Sequence, residues 1–132
     1  MATIFTKIIR GEIPCYKVAE NEQFIAFLDI NPVAKGHTLV VPKTEVDYIF
    51  DLAEPELSRI LIFAQKIAKA IDEVTDCIRT GIIVEGLEVP HAHIHLIPMY
   101  PSRKGFSLGH KTDITKEEMQ IIASKIAEKV KL

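Results

Sequence analysis

The sequence predicts a single domain of mixed helix and strand, and three observations lead to it. Residues 90–98, Pro-His-Ala-His-Ile-His-Leu-Ile-Pro, alternate with the period of two expected of a strand. Within residues 55–75, Leu57, Ile60, Leu61, Ala64, Ile67, Ala68 and Ile71 fall at the helical spacing of one broad apolar face. Short β-rich runs are separated by turn formers at Glu20-Asn21-Glu22, Asn31-Pro32 and Gly36. A chain of 132 residues is long enough for one real core, so all of 1–132 is read as one domain.

Taken in order, Ile4-Phe5 and Ile8-Ile9 recur at helical spacing before Gly11 and Pro14, which predicts a short helix over 3–10. Tyr16–Ala19 and Phe24–Asp29 read as a hairpin. His37–Val41 is a third strand, β-branched and ended by Pro42. Pro55 suits the first position of the long helix. Cys77–Val84 reads as a fourth strand, and Gly86 turns the chain toward an antiparallel partner, the histidine strand, bracketed by Pro90 and Pro98. Residues 99–132 form a C-terminal loop and helix. The loop is polar over 99–113, and Thr115-Lys116-Glu117-Glu118 caps a last helix over 116–130, with Ile114 and Met119 as a hydrophobic staple.

Net charge of −2 and a pI near 6.2 supply no global field for nucleic acid or anionic membrane, so neither partner is expected. No apolar run approaches the ~18 residues that span a bilayer. The first residues lack the form of a signal peptide, which makes the cytoplasm the default location. Cys15 and Cys77 are too few for a disulfide framework and read as reduced thiols.

The histidine strand holds three of the five histidines in the chain. Alternation puts His91, His93, His95 and Ile97 on one face and Ala92, Ile94 and Leu96 on the other, where a core awaits them. Histidines satisfying core hydrogen bonds would explain one or two of these, not a whole face. A zinc site is strained on a regular strand, because His91 and His95 lie about 13 Å apart at roughly 3.3 Å per residue. Two of them with a distant ligand remain the metal alternative. The chemical reading makes His93 a nucleophile flanked by proton-managing imidazoles, since neutral imidazole attacks phosphorus and leaves again, and neighbouring imidazoles keep one another neutral.

At this point the chain resembles the histidine triad (HIT) proteins, whose motif His-φ-His-φ-His-φ-φ stands here as His91 to Ile97. The resemblance extends to Ile4–Pro14, Phe27–Pro32 and Gly36–Lys43, and is nearest to the Hint branch and the bacterial HIT hydrolases. It implies an α+β fold with a five-stranded antiparallel sheet, a two-fold homodimer, and action at the α-phosphate of purine nucleotides, either phosphoramidates or dinucleoside polyphosphates. Hydrolysis or transfer would pass through a nucleotidyl-histidine intermediate, with no cofactor. Carried over by position, His93 is the nucleophile, and His91, His95 and His37 support it, the general acid among them unassigned. Asp29 would bind the ribose hydroxyls. Ile4, Phe5, Ile8, Phe27, Leu28 and Ile30 would wall the base, although without the family they read simply as core. The backbone amides of Glu88 and Val89 would cradle the phosphate.

Three departures from the family pattern shape the expectations. Thr3, Thr6 and Glu45 stand where many bacterial relatives carry a Cys-x-x-Cys pair and a histidine that help hold zinc, so no metal is expected. Glu85-Gly86-Leu87 is shorter than the relatives' loop, which ends in Gly-Gln. Leu87 therefore lacks an amide that would serve polyphosphate leaving groups, and phosphoramidates are expected to be preferred, with Leu87→Gln narrowing that preference about ten- to a hundredfold. The 99–132 tail matches no specificity-setting ending. A different class of reading is a non-catalytic nucleotide-binding or scaffolding dimer that keeps the pocket, but the complete set of four histidines favours an enzyme.

Overall fold

The computed structural model describes residues 2–101 and 111–132. Helix α1 (Ile4–Ile9) leads into strands β1 (Lys17–Glu20), β2 (Phe24–Leu28) and β3 (Thr38–Pro42), and a short 3-10 turn (Ile49–Asp51) precedes helix α2 (Glu54–Val74). Strands β4 (Arg79–Ile83) and β5 (Ile94–Met99) and helix α3 (Lys116–Lys129) complete the chain. The strands form one antiparallel sheet in the order β1-β2-β3-β5-β4, the α+β architecture that the resemblance implies.

Alternation sorts the sheet's side chains between two apolar layers. Phe24, Ala26 and Leu28 of β2, Val40 of β3 and Ile94 and Leu96 of β5 pack with α2 and α3 in the main core. Ile25, Phe27, Leu39 and Val41 point the other way and meet Phe5 of α1. Strands covered on both faces are buried along their whole length, which is why β2 and β3 read as continuous apolar runs. The imidazole face is covered as well as the apolar one, and His91, His93 and His95 are 0%, 5% and 8% exposed.

Two of the three prolines read as strand ends, Pro42 and Pro98, lie inside strands. Pro42 pairs with Phe24 and Pro98 with Thr80. The β3–β5 ladder spans only Thr38↔Leu96, Leu39↔His95 and Val40↔Ile94, so each proline lies beyond it and forfeits no bond on that side. The histidine run starts earlier than the strand: β5 pairs from Ile94, while His91–His93 run outside the ladder, held by His91 N–H donating to Val89 O and Ala92 N–H to Val46 O.

The long helix is rotated from the expected face. Leu61 is 54% exposed, and Phe63 and Ala70 are buried beside Ile60, Ala64, Ile67 and Ile71, with the Phe63 ring 5.5 Å from that of Phe24. Pro55 takes the second helical position, after Glu54. Thr115 caps α3 by accepting from Glu118 N–H, as the sequence indicates. Gly36 has φ +98°, and a Cβ there would lie 3.1 Å from Pro98 Cγ, so this position, one residue before His37, admits only glycine comfortably. Of the loop expected over 99–113, Met99 belongs to β5, residues 102–110 fall outside the described residues, and Thr112 is tied to the 32–33 turn, its N–H donating to Pro32 O and its hydroxyl to Val33 O. Among the described residues no helix is long and apolar enough to cross a membrane.

Candidate active site

Strand register gathers the candidate residues from three parts of the chain. Leu28 pairs with Thr38 at the loop end of the β2–β3 hairpin, so Asp29 and His37 face one another just beyond it, Asp29 N–H donating to His37 O at 3.0 Å. Leu39 pairs with His95, which brings β5's histidine beside His37. The result is a row of rings: His37 and His95 are 5.2 Å apart between centroids, and His95 and His93 4.9 Å.

Hydrogen-bond partners determine where each ring carries its proton. Val33 N–H donates to His37 Nδ1 at 3.1 Å, so the His37 proton sits on Nε2. His37 Nε2–H in turn donates to His95 Nδ1 at 3.0 Å, which leaves the His95 proton on Nε2. His93 is wired oppositely. Its Nδ1–H donates 2.7 Å to the carbonyl oxygen of His91, so neutral His93 keeps a lone pair on Nε2. His91 Nε2–H donates to Pro42 O at 2.8 Å, and its Nδ1 accepts from the Thr3 hydroxyl at 3.0 Å.

The electrostatics agree with a neutral row. Burial foremost, then the charges of Lys111 and His93, pushes His37 down from 6.5 to about 4. Burial followed by His93 and His37 does the same to His95, also to about 4. His93 is lowered too, chiefly by burial, with its bond to the His91 carbonyl opposing the shift. Asp29 Oδ2 lies 3.5 Å from His37 Nε2, a contact with a neutral ring and not an ion pair.

His93 and His95 line a pocket of about 220 Å³, with His37 and His91 behind them. All nine candidate substrate-binding residues line it as well: Asp29, Ile4, Phe5, Ile8, Phe27, Leu28, Ile30, Glu88 and Val89. Core and pocket-wall readings both apply, because Phe5, Phe27 and Leu28 are buried while Ile4 and Ile30 are 46% and 69% exposed. Among the described residues, neither the Glu88 nor the Val89 amide donates to a protein acceptor. Leu87 stands at the pocket rim, 84% exposed. The sequence reading missed Lys111, the pocket's one cationic side chain among the described residues, and also Cys15 and Asn31. Nothing in a lone lysine after a polar loop signals a return to the site; the Thr112 bonds that bring it there are tertiary.

Among the described residues two groups invite a metal, and neither fits one. Asp29, His37 and His95 offer donor atoms within 4.8 Å of each other. With His37 Nδ1 already accepting from Val33 N–H, ligation through Nε2 would demand an imidazolate or the loss of that bond. Around Thr3 and Thr6, where the resemblance implies the zinc of bacterial relatives, threonine hydroxyls are poor zinc ligands and the adjoining His91 spends both ring nitrogens on Pro42 and Thr3.

The HIT domain family profile matches residues 10–102. Protein hit of Bacillus subtilis is 38% identical over 96% of this chain and 93% of its own. Adenosine 5'-monophosphoramidase hnt1 of Schizosaccharomyces pombe is 35% identical over 99% of this chain and 100% of its own. Among solved structures, a Hit-like protein from Bartonella henselae superposes with a TM-score of 0.85 at 33% identity, covering 96% of this chain and 94% of its own.

Proposed function

The chain belongs to the HIT domain family, and on that premise we propose that it is a hydrolase or nucleotidyl transferase acting at the α-phosphate of purine nucleotides. One observation carries the reading: the two imidazoles that line the pocket among the described residues are held in opposite tautomers, His93 with a lone pair on Nε2 and His95 with a hydrogen there. A nucleophile and a donor are thereby set side by side without any change of ionisation. His93 Nε2 forms a bond to the α-phosphorus as the bond to the leaving group breaks, and His95 Nε2–H passes its proton to the departing atom. Water then cleaves the nitrogen–phosphorus bond, its oxygen joining phosphorus and one of its protons returning to His95 Nε2, which releases the nucleoside monophosphate and restores both rings to their neutral forms. One water is consumed per turnover.

Asp29 takes the ribose hydroxyls, the layer of Ile4, Phe5, Ile8 and Phe27 takes the base, and the amides of Glu88 and Val89 face the phosphate. Phosphoramidates of adenosine lead the substrate list, because a relative matched over its full length is named an adenosine 5'-monophosphoramidase. The working unit is a homodimer in the cytoplasm. In support of the dimer, β4 is an edge strand of the sheet, Ile82 on it is 51% exposed, and Leu61 and Ile62 of α2 are 54% exposed each.

The test is a substrate panel of adenosine phosphoramidates, dinucleoside polyphosphates and adenylylated amines, followed by chromatography for AMP. Wild type is expected to release AMP and to show an AMP adduct by intact mass after quenching. His93→Ala should lose about three orders of magnitude or more of that rate while staying folded. Full turnover by His93→Ala would refute the nucleophile, and no turnover of any substrate would favour the non-catalytic binding dimer.

A further inference from the structure

Helix α1 has a cap that reaches into the row of histidines. Thr3 and Thr6 exchange backbone bonds, Thr6 N–H donating to Thr3 Oγ1 at 3.2 Å and Thr3 N–H to Thr6 Oγ1 at 3.1 Å. Ordinarily the hydroxyl hydrogens of such a pair are free to choose a partner. Here they are not. Pro42 O can only accept, so His91 Nε2 holds the ring's proton and His91 Nδ1 must accept. The Thr3 hydroxyl is therefore committed as the donor to His91 Nδ1 at 3.0 Å, and Thr6 Oγ1, 3.3 Å from Thr3 Oγ1, supplies its own hydrogen to Thr3.

We propose that Thr3 is a positioning residue for the nucleophile: its hydroxyl locks the His91 ring, the locked ring orients the His91 peptide, and that peptide's carbonyl holds His93 Nδ1–H. Three features support the chain of effect. His91 is fully buried and does not line the pocket, so substrate has no access to it and its ring is available for support alone. The backbone of His91 is bound at both of its polar groups, N–H donating to Val89 O and carbonyl accepting from His93 Nδ1–H, so tilting the ring disturbs the short 2.7 Å bond behind the nucleophile. Phe5, two residues after Thr3, packs its edge or face against both rings, at 5.9 Å from His91 and 5.0 Å from His93, which ties the same helix to both. The proposal rests on His93 being the nucleophile and adds the residue that keeps it aimed.

Three substitutions separate this role from simple helix capping. Thr3→Val removes the hydroxyl at equal shape, Thr3→Ser keeps it, and Thr3→Asp is a strong cap whose carboxylate cannot donate to His91. Two readouts are taken: kcat and KM for AMP release from an adenosine phosphoramidate, and imidazole ¹⁵N and N–H resonances of the substrate-free protein. Thr3→Val and Thr3→Asp should each lower kcat about three- to tenfold, the reach of one neutral hydrogen bond. KM should stay within twofold, and Thr3→Ser should restore kcat. The His91 Nδ1 resonance should move in Val and Asp, and the His93 Nδ1–H should exchange faster with solvent. Wild-type kcat in Thr3→Asp would show that the cap alone matters and overturn the proposal. So would unchanged His93 Nδ1–H exchange in Thr3→Val. If wild type turns over no substrate, the enzymatic reading fails by itself, and the resonances still decide whether Thr3 holds the ring.

Discussion

Replacing His37 by leucine tests the proton arrangement most directly. His37 makes two buried bonds, accepting from Val33 N–H and donating to His95 Nδ1. Leucine makes neither and leaves two buried polar groups short of those partners, each worth about 1–3 kcal/mol, partly offset by the better transfer of an apolar side chain. His37→Leu should therefore be about 2–4 kcal/mol less stable at pH 7. With nothing holding the His95 proton on Nε2, kcat should fall about tenfold, one neutral bond's worth. That is far less than the loss at His93. His37→Gln, whose side-chain amide can donate to His95 Nδ1, should recover most of it.

The pH dependence supplies an independent check. His37 and His95 are held at about 4 in the fold against 6.5 in the ordinary state. Between these values the unfolded chain binds protons that the folded chain refuses. Stability is thus fully present above 6.5, declines as pH falls from 6.5 toward 4, and levels off below. Each imidazole contributes a slope of up to about 1.4 kcal/mol per pH unit in that window. His37→Leu removes one of the two, so its denaturation midpoint should fall less steeply than that of wild type. Urea titrations of both proteins from pH 7.5 to 4 measure the difference. Parallel curves, or an unchanged kcat at pH 7, would refute a neutral His37 that sets the His95 proton.

Leu87→Gln should narrow the preference for phosphoramidates over dinucleoside polyphosphates, but at 84% exposure its amide competes with water, so the ten- to hundredfold expectation contracts to about two- to fivefold in the ratio of kcat/KM. Equal ratios in the two proteins would sink the role of that position. Lys111→Met should lower kcat/KM for anionic nucleotides about two- to fivefold and weaken its dependence on salt, and a salt dependence identical to wild type would show that Lys111 does not meet the phosphates. Light scattering at micromolar concentration should give the mass of two chains; a monomer would count against the dimer though not against the chemistry.

Much of this was legible in the chain because period and residue type share a physical cause. The histidine alternation survives folding even where His91–His93 leave the ladder, since an extended backbone keeps successive side chains on opposite sides with or without a neighbour. Pro42 and Pro98 misled for the complementary reason: a proline halts a strand only where a ladder bond is required, and the extent of the β3–β5 ladder is a property of the sheet. The α2 face could not be phased from sequence alone, because Leu61, Ile62 and Phe63 are three consecutive apolar residues and packing against Phe24 chose among them. For the site, residue types were readable but proton positions were not. They depend on Val33 N–H and Pro42 O, groups that every such residue carries and that only the fold aims. Thr3 and Thr6 did leave a trace, a Thr-x-x-Thr pair before an apolar run, easily passed over because a capping box is usually sought with Glu or Gln at its third position.

The opposed tautomers of His93 and His95 originate in two peptide groups, the amide of residue 33 and the carbonyl of residue 91. The reagents of this pocket thus take their polarity from main chain, which substitution ordinarily leaves intact. Side chains of suitable size can replace one another at residue 33 without altering the assignment, but proline there would delete the amide hydrogen. Such a chain would keep His37, His91, His93 and His95 and every family motif in its sequence; His93 would retain its Nε2 lone pair, but nothing would any longer hold the hydrogen of His95 on Nε2.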